Sequence, residues 1–176
     1  PYTQLFRTRP KSIHARNDEL TKLPNRRNIL TFLSDQAKVA YESEKPISVI
    51  ILDVDHFKKV NDDHGHDGGD IALKAVADVA NQALRRGDRV GRISGEEFLV
   101  VLPGTERASA SEIAERLRRS IEVGELDKFV SGLLMTISLG VAEWNAGHES
   151  IDALMKRAGL ALREAKNTGR NTVVIQ

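Results

Sequence analysis

The sequence predicts an α+β sandwich of the ferredoxin-like type, a mainly antiparallel central sheet flanked by helices. Three observations carry that expectation: hydrophobic periods in the order α, β, α, β-hairpin, α, β, α, β; one short β-branched run, Ile47 to Asp53, with the character of a buried central strand; and two short strands joined by a tight glycine-bearing turn. At 176 residues the chain has the length of one domain. With 40% hydrophobic and 29% charged residues it has the composition of a folded domain rather than a disordered tail.

Residues 1–16 hold Pro1 and Pro10 and show no period, so they read as a tail or the end of an upstream linker, with residues 17–176 as the domain. The missing initiator Met fits a fragment of a longer protein. Leu20, Leu23, Leu30, Leu33 and Ala37 recur at helical spacing, and Pro24 divides them into a turn and a helix from Asn25. Pro46 opens the central strand, which ends in Asp53-Val54-Asp55. Asp70 to Arg86 reads as a helix with Ala72, Leu73, Val76, Val79, Ala80 and Leu84 on one face, ended by Gly87. The hairpin strands are Arg89 to Ile93 and Glu97 to Leu102, around Ser94-Gly95-Glu96. Ser109 or Ser111 is placed to cap a helix carrying Ile113, Ala114, Leu117 and Ile121. Alternation from Leu133 to Val141 marks a strand, the stripe Ile151, Leu154, Met155, Ala158, Leu162, Ala165 a last helix, and Asn171 to Ile175 a closing strand.

Composition excludes several classes of function. Without cysteine there is no disulfide scaffold, no Cys-ligated zinc or iron–sulfur cluster and no thiol nucleophile, so any metal must sit on oxygen or imidazole. The longest wholly apolar run, Val49 to Leu52, is far short of the ~20 residues of a membrane span, and no signal-peptide core is visible. The net charge is +1, and residues 1–17 carry Arg7, Arg9, Lys11 and Arg16 without an acid, leaving −3 for the rest. That balance argues against nucleic acid as a partner.

The chemistry-bearing residues converge on one end of the predicted sheet. Asp53 ends the central strand, and Glu96 and Glu97 sit in a hairpin that this fold places beside it. Carboxylates avoid burial unless paired or bound to metal, and Mg²⁺ is commonly held by one or two carboxylates plus substrate phosphates. Acidic turn residues facing water are the plain alternative. Phe57-Lys58-Lys59-Val60-Asn61 offers N–H groups and Lys58 to phosphates. His64 to Asp70 is a glycine-bearing loop into a helix start, for which a simple cap by Asp67 or Asp70 is an equal account. Lys166-Asn167-Thr168-Gly169-Arg170 sets two cations around a helix-ending glycine, where cations are also ordinary complements of the helix dipole.

From Asp18 onward these stretches resemble the GGDEF domain family of diguanylate cyclases. The matching segments are Asp18 to Arg27 (DELTKLPNRR), Asp53 to Asp62 (DVDHFKKVND), Gly65 to Asp70 (GHDGGD), the signature Ser94 to Phe98 (SGEEF) and Ala165 to Asn171 (AKNTGRN). The resemblance implies a fold related to polymerase palms and a condensation of two GTP into cyclic di-GMP and two pyrophosphates, with attack of a ribose 3'-hydroxyl on the partner's α-phosphate. It implies Mg²⁺ (or Mn²⁺) on Asp53, Glu96 and the Val54 carbonyl, with Glu97 in support. Glu96 is its candidate proton acceptor, Lys58 its stabiliser of charge on the reacting phosphates, and Lys166 and Arg170 its triphosphate grip. Asn61 and Asp70 match the guanine readers, with His66, Phe57 and Gly95 in the same nucleotide site.

A carboxylate at Asp70 accepts from both donors on the guanine edge, whereas adenine presents an acceptor at N1. Arg85-Arg86-Gly87-Asp88, five residues before the signature, fits the family's RxxD product-inhibition pattern, with Arg85 and Asp88 as its members and Arg116 or Arg118 from the next helix as an addition. The resemblance further implies a homodimer, an upstream sensory or receiver domain, and a cytoplasmic location. A degenerate domain acting only as a cyclic di-GMP receptor is the rival expectation. Three residues depart from the family pattern: Ser94 in place of the first signature Gly, where a Cβ is expected to crowd the turn, Lys22 where Gly is usual, and Arg163 where Tyr is common.

Overall fold

The computed structural model describes residues 15–123 and 132–176, so most of the segment read as a tail lies outside the described residues. The elements are α1 (Arg26–Ser43), β1 (Ile47–Val54), α2 (Phe57–Gln82), β2 (Arg89–Arg92), β3 (Glu97–Pro103), α3 (Arg107–Glu122), β4 (Ile137–Glu143), α4 (Ile151–Asn167) and β5 (Val173–Ile175). They form a five-stranded sheet in the order β2-β3-β1-β4-β5, antiparallel throughout except for the parallel pair β4–β5. The α+β sandwich expected from the sequence is therefore the observed fold.

All eight residues of β1 are buried, because the strand is covered on both faces. Ile50, Leu52 and Val54 pack on one side with Leu73 and Val76 of α2 and Leu117 and Ile121 of α3. Val49 and Ile51 pack on the other with Ile29 and Leu33 of α1 and Leu154 and Leu162 of α4. A sheet covered on both faces leaves its strand ends as the places where polar chemistry meets solvent. Asp53 stands at such an end, directly opposite Glu97 of β3 and Ser138 of β4.

Several boundaries differ from the sequence expectation; the helix read to Arg86 ends at Gln82, and the closing strand starts at Val173 rather than Asn171. α2 is two helical legs joined across Gly65, whose φ of 73° and ψ of 172° are not helical, so the helix expected from Asp70 begins just after Gly65 and a first leg from Phe57 precedes it. Asp67 and Asp70 lie within the second leg and cap neither; the first leg opens at His56, with φ 51° and no side-chain capping bond. α3 starts before Ser109 and Ser111, and the Arg107 N–H donates to the Glu143 carboxylate at 2.7 Å, a cap delivered from β4 rather than from the local sequence. β4 begins at Ile137; Leu133 and Met135 are buried but lie outside the ladder, so their alternation reports burial and not strand pairing.

The helix start at Asn25 is as expected: its side chain accepts from the Asn28 N–H at 3.0 Å. Its own N–H donates to the Arg16 carbonyl and its amide to the Ala15 carbonyl, so the domain's contacts begin slightly before residue 17. Lys22, where the family pattern has Gly, adopts φ 62°. The left-handed region costs an L-residue about 1–2 kcal/mol, against about 0.5–1 kcal/mol for the extra freedom glycine loses on folding. Lys22→Gly is therefore expected to stabilise the domain by roughly 0.5–1 kcal/mol in chemical denaturation; an unchanged or lowered midpoint contradicts this.

Candidate active site

The centre of the site is Asp53. Its side chain is 4% exposed, and its Oδ2 accepts from the Lys166 ammonium at 2.6 Å. Its Oδ1 is buried without a hydrogen-bond partner. The Asp53 carboxyl is raised to about 7: burial is the main cause and the charges of Glu96 and Glu97 add to it, against the hydrogen bond and charge of Lys166, which lower it. Lys166 reaches it because α4 lies very close to β4: a Cβ on Gly140 would stand 2.2 Å from the Ala158 carbonyl oxygen. Among the described residues no three His, Asp or Glu side chains gather tightly enough to hold a metal alone. Two carboxylates and a backbone carbonyl, completed by substrate oxygens, remain a fitting set for a hard divalent cation, and the unpartnered Asp53 oxygen is the observation that favours one.

The signature turn is braced from behind. Arg92 donates to the carbonyls of Ser94 at 3.2 Å and Gly95 at 2.7 Å, and to both oxygens of Asp18 at 3.1 and 3.2 Å. Burial pushes Asp18 up, but hydrogen bonds from the Thr21 N–H, the Thr21 hydroxyl and Arg92 outweigh it and hold the carboxyl below its usual range. The Val54 N–H donates to the Glu96 carbonyl at 3.3 Å, tying the turn to the end of β1. Ser94 does not crowd it: the residue is exposed, its backbone is outside the left-handed region, and its hydroxyl donates to Glu97 at 3.3 Å. A Cβ on Gly95 would meet nothing within 4 Å, so that backbone borders open space.

On the other side stand the two legs of α2. Lys58 is exposed on the first turn, and Phe57 and Asn61 are half-buried against the second leg. A Cβ on Gly69 would lie 1.8 Å from Asn61 Oδ1 and 3.2 Å from Phe57, so this glycine makes room for the Asn61 amide beside Asp70. His66 and Asp70 are both exposed. Thus the fold brings Asp53, Glu96, Glu97 and Lys166 together and sets Asn61 and Phe57 against the leg that carries Asp70. Arg170, also exposed, lies on the α4–β5 connection with φ 62°.

Asp55 belongs to this end of the sheet although the sequence reading gave it no role. It is 4% exposed and accepts from the hydroxyls of Thr136 and Ser138, both at 2.7 Å, and from the Asn171 N–H at 3.0 Å. The available signal was its place two residues after Asp53 at an apolar strand's end, where a carboxylate needs partners.

Arg85 and Asp88 lie apart from this centre, near the opposite end of β3. The Asp88 side chain is buried and accepts from Arg85 Nε at 3.2 Å and from the Arg85 N–H at 3.3 Å, while Arg85 Nη2 donates to the Pro103 carbonyl at 2.5 Å. Arg116 is exposed and donates to the Ala83 carbonyl at 3.0 Å, at the end of the helix preceding Arg85. Arg118 does not join them; it is engaged with Glu115, Glu122 and Asn171.

An α+β domain with an acid-and-lysine centre where its central strand meets a hairpin turn defines a recognisable class. The family model described as "Diguanylate cyclase, GGDEF domain" matches residues 15–172, and the chain belongs to the GGDEF domain family. Diguanylate cyclase A of Treponema denticola is 38% identical over 134 residues, which cover 76% of this chain and 36% of that protein. This chain thus corresponds to about a third of that relative's length. The crystal structure of diguanylate cyclase SiaD with its activator SiaC from Pseudomonas aeruginosa matches with TM-score 0.86 at 38% identity, covering 92% of this chain and 62% of that one. The GGDEF domain of DgcB from Caulobacter crescentus, solved in complex with c-di-GMP, matches with TM-score 0.86 at 32% identity, covering 92% and 93%.

The raised Asp53 pKa makes a prediction about the metal-free domain. The folded state holds the proton more tightly than the unfolded chain, so this stabilising contribution is complete below the unfolded value near 3.8 and is lost as pH rises through about 7. Asp53→Asn is therefore expected to melt higher than the parent at pH 8 and close to it at pH 4. A lower Tm for the variant at pH 8 contradicts the assignment.

Proposed function

We propose that this chain is a catalytic diguanylate cyclase domain, condensing two GTP into cyclic di-GMP with release of two pyrophosphates. The observation that carries the reading is the buried Asp53 carboxylate, one oxygen on Lys166 and the other without a partner, opposite the Glu96-Glu97 turn. Asp53, Glu96 and the Val54 carbonyl would hold Mg²⁺ or Mn²⁺, with Glu97 in support. A divalent ion there supplies neutralisation of triphosphate charge and a lowered pKa for the attacking hydroxyl.

The chain's own groups do the rest. Asn61 and Asp70 hold the guanine edge, Asp70 accepting from N1–H and the exocyclic amine, with Phe57 and His66 lining the pocket. The open space at Gly95 lets phosphate approach the backbone. Lys166, already oriented by Asp53, and Arg170 grip the triphosphate, and Lys58 offsets the charge that builds on the reacting phosphate. The 3'-oxygen of one GTP bonds to the α-phosphorus of the other, the α–β bridging bond breaks, pyrophosphate leaves with the electron pair, and Glu96 accepts the hydroxyl proton. One domain holds one GTP, so two copies must face each other with approximate two-fold symmetry. An upstream sensory or receiver domain would control that encounter, and the cytoplasm, where GTP is available, is the compartment that suits it. Arg85, Asp88 and Arg116 form the inhibitory product site, with Arg85 already aligned by Asp88.

Incubation with GTP and Mg²⁺ followed by chromatography is expected to show cyclic di-GMP and pyrophosphate, and Asp53→Asn to lower the rate at least ~100-fold. No product from a dimeric sample that binds cyclic di-GMP would favour the receptor reading instead. Asp70→Ser is expected to reduce the preference for GTP over ATP by roughly 10- to 100-fold, the worth of charge-assisted hydrogen bonds to the base; an unchanged base preference removes Asp70 from the pocket.

A further inference from the structure

The connection between α4 and β5 holds more strain and more anchors than a surface turn requires. Gly169, Arg170 and Asn171 follow one another at φ 112°, 62° and 46°, so two successive non-glycine residues sit in the left-handed region. Such backbone persists only where its surroundings over-determine it. Here they do, through Asn171. Its N–H donates to Asp55 Oδ2 at 3.0 Å, its Oδ1 accepts from Arg118 Nη1 at 2.8 Å, and its Nδ2 donates to Glu122 Oε1 at 2.8 Å.

Each anchor is itself held. Asp55 is fixed by the hydroxyls of Thr136 and Ser138 at the end of β1, beside Asp53. Arg118 is 14% exposed and donates in a fork to both oxygens of Glu115 at 2.7 and 2.8 Å, and to Glu122 at 2.6 Å. Hydrogen bonds from Arg118 and Arg119 hold Glu115 down at about 2, so the cluster stays ionised across the working pH range. The next residue back along the chain from this triple anchor is Arg170, whose N–H donates to the Ala165 carbonyl at 3.0 Å while its side chain is exposed.

We propose that Asn171, clamped by Arg118 and Glu122 of α3 and by Asp55 in the turn after β1, is a positioning residue that fixes the strained backbone on which Arg170 is carried to the triphosphate. The proposal rests on the phosphate-binding role given to Arg170 above. Three residues from two parts of the fold far apart in sequence thereby set the place of one cation, without touching substrate themselves. Pre-setting that backbone removes an ordering cost that GTP binding would otherwise bear.

The test is a double-mutant cycle on the affinity for a GTP analogue that cannot be cleaved at the α-phosphate, measured in Mg²⁺, a readout independent of dimerisation. Asn171→Gly keeps the left-handed backbone and the N–H to Asp55 but removes both side-chain links to α3. It is expected to weaken binding about tenfold, and Arg170→Ala at least as much. In the Arg170→Ala background Asn171→Gly is expected to add less than about twofold, because a positioning residue has nothing left to position. Full additivity, or parent-like affinity of Asn171→Gly, overturns the proposal. An Arg170→Ala variant that binds like the parent instead overturns the phosphate role on which the proposal rests. Arg118→Met, which leaves the connection's own residues intact, carries the same cycle should Asn171→Gly not fold.

Discussion

A carboxylate buried at the end of the wholly buried central strand is the constraint on which the rest of this structure depends. Asp53 is nearly inaccessible, yet only one of its oxygens is satisfied within the described residues. Burying a charge in this way is costly, and it is tolerated only when the surroundings supply a counter-charge. The local architecture follows from that need. α4 closes onto β4 over the missing side chain of Gly140 and brings Lys166 to one oxygen, and the hairpin register sets Glu97 directly across the ladder. Three acids and one lysine in a half-buried cluster leave excess negative charge. That excess is the electrostatic ground for the divalent ion proposed there.

Much of this arrangement was legible in the sequence where the signal was local. The β-branched run before Asp53 marked the central strand, and two short strands around Ser94-Gly95-Glu96 marked the hairpin, so the acids could be placed near one another before any coordinates. What escaped the reading was carried by long-range contacts. The Lys166–Asp53 bond joins residues 113 apart and the Arg92–Asp18 pair residues 74 apart, and no periodicity encodes either. The start of α2 was hidden for a different reason. Its first leg is rich in Asp, Asn, His and Gly, residues that favour turns and caps, and its N-terminal position is a left-handed His56 without a capping side chain. Tertiary packing overrides that local preference. Likewise α3 takes its cap from Glu143, so the serines that looked suited to the task lie within the helix.

The departures from the family pattern separate by geometry. Ser94 occupies an ordinary backbone region and faces solvent, so the Cβ expected to crowd the signature turn costs nothing there, and its hydroxyl contacts Glu97. Lys22 does carry strain, in a turn whose Asp18 braces the signature through Arg92. Arg163 is exposed and displaces no group of the site. Of the glycines beside it, Gly69 is required by packing, since a Cβ there would be driven into Asn61, whereas a Cβ on Gly95 would meet nothing within 4 Å.

The central claim is that the unsatisfied Asp53 oxygen and the facing glutamates exist to hold a divalent ion. Electron paramagnetic resonance titration of Mn²⁺ against the domain with a non-cleavable GTP analogue measures this directly. The account predicts one tightly bound Mn²⁺ per domain in the parent, weakened at least ~100-fold by Asp53→Asn and markedly by Glu96→Gln. Equal Mn²⁺ occupancy in parent and Asp53→Asn would contradict it.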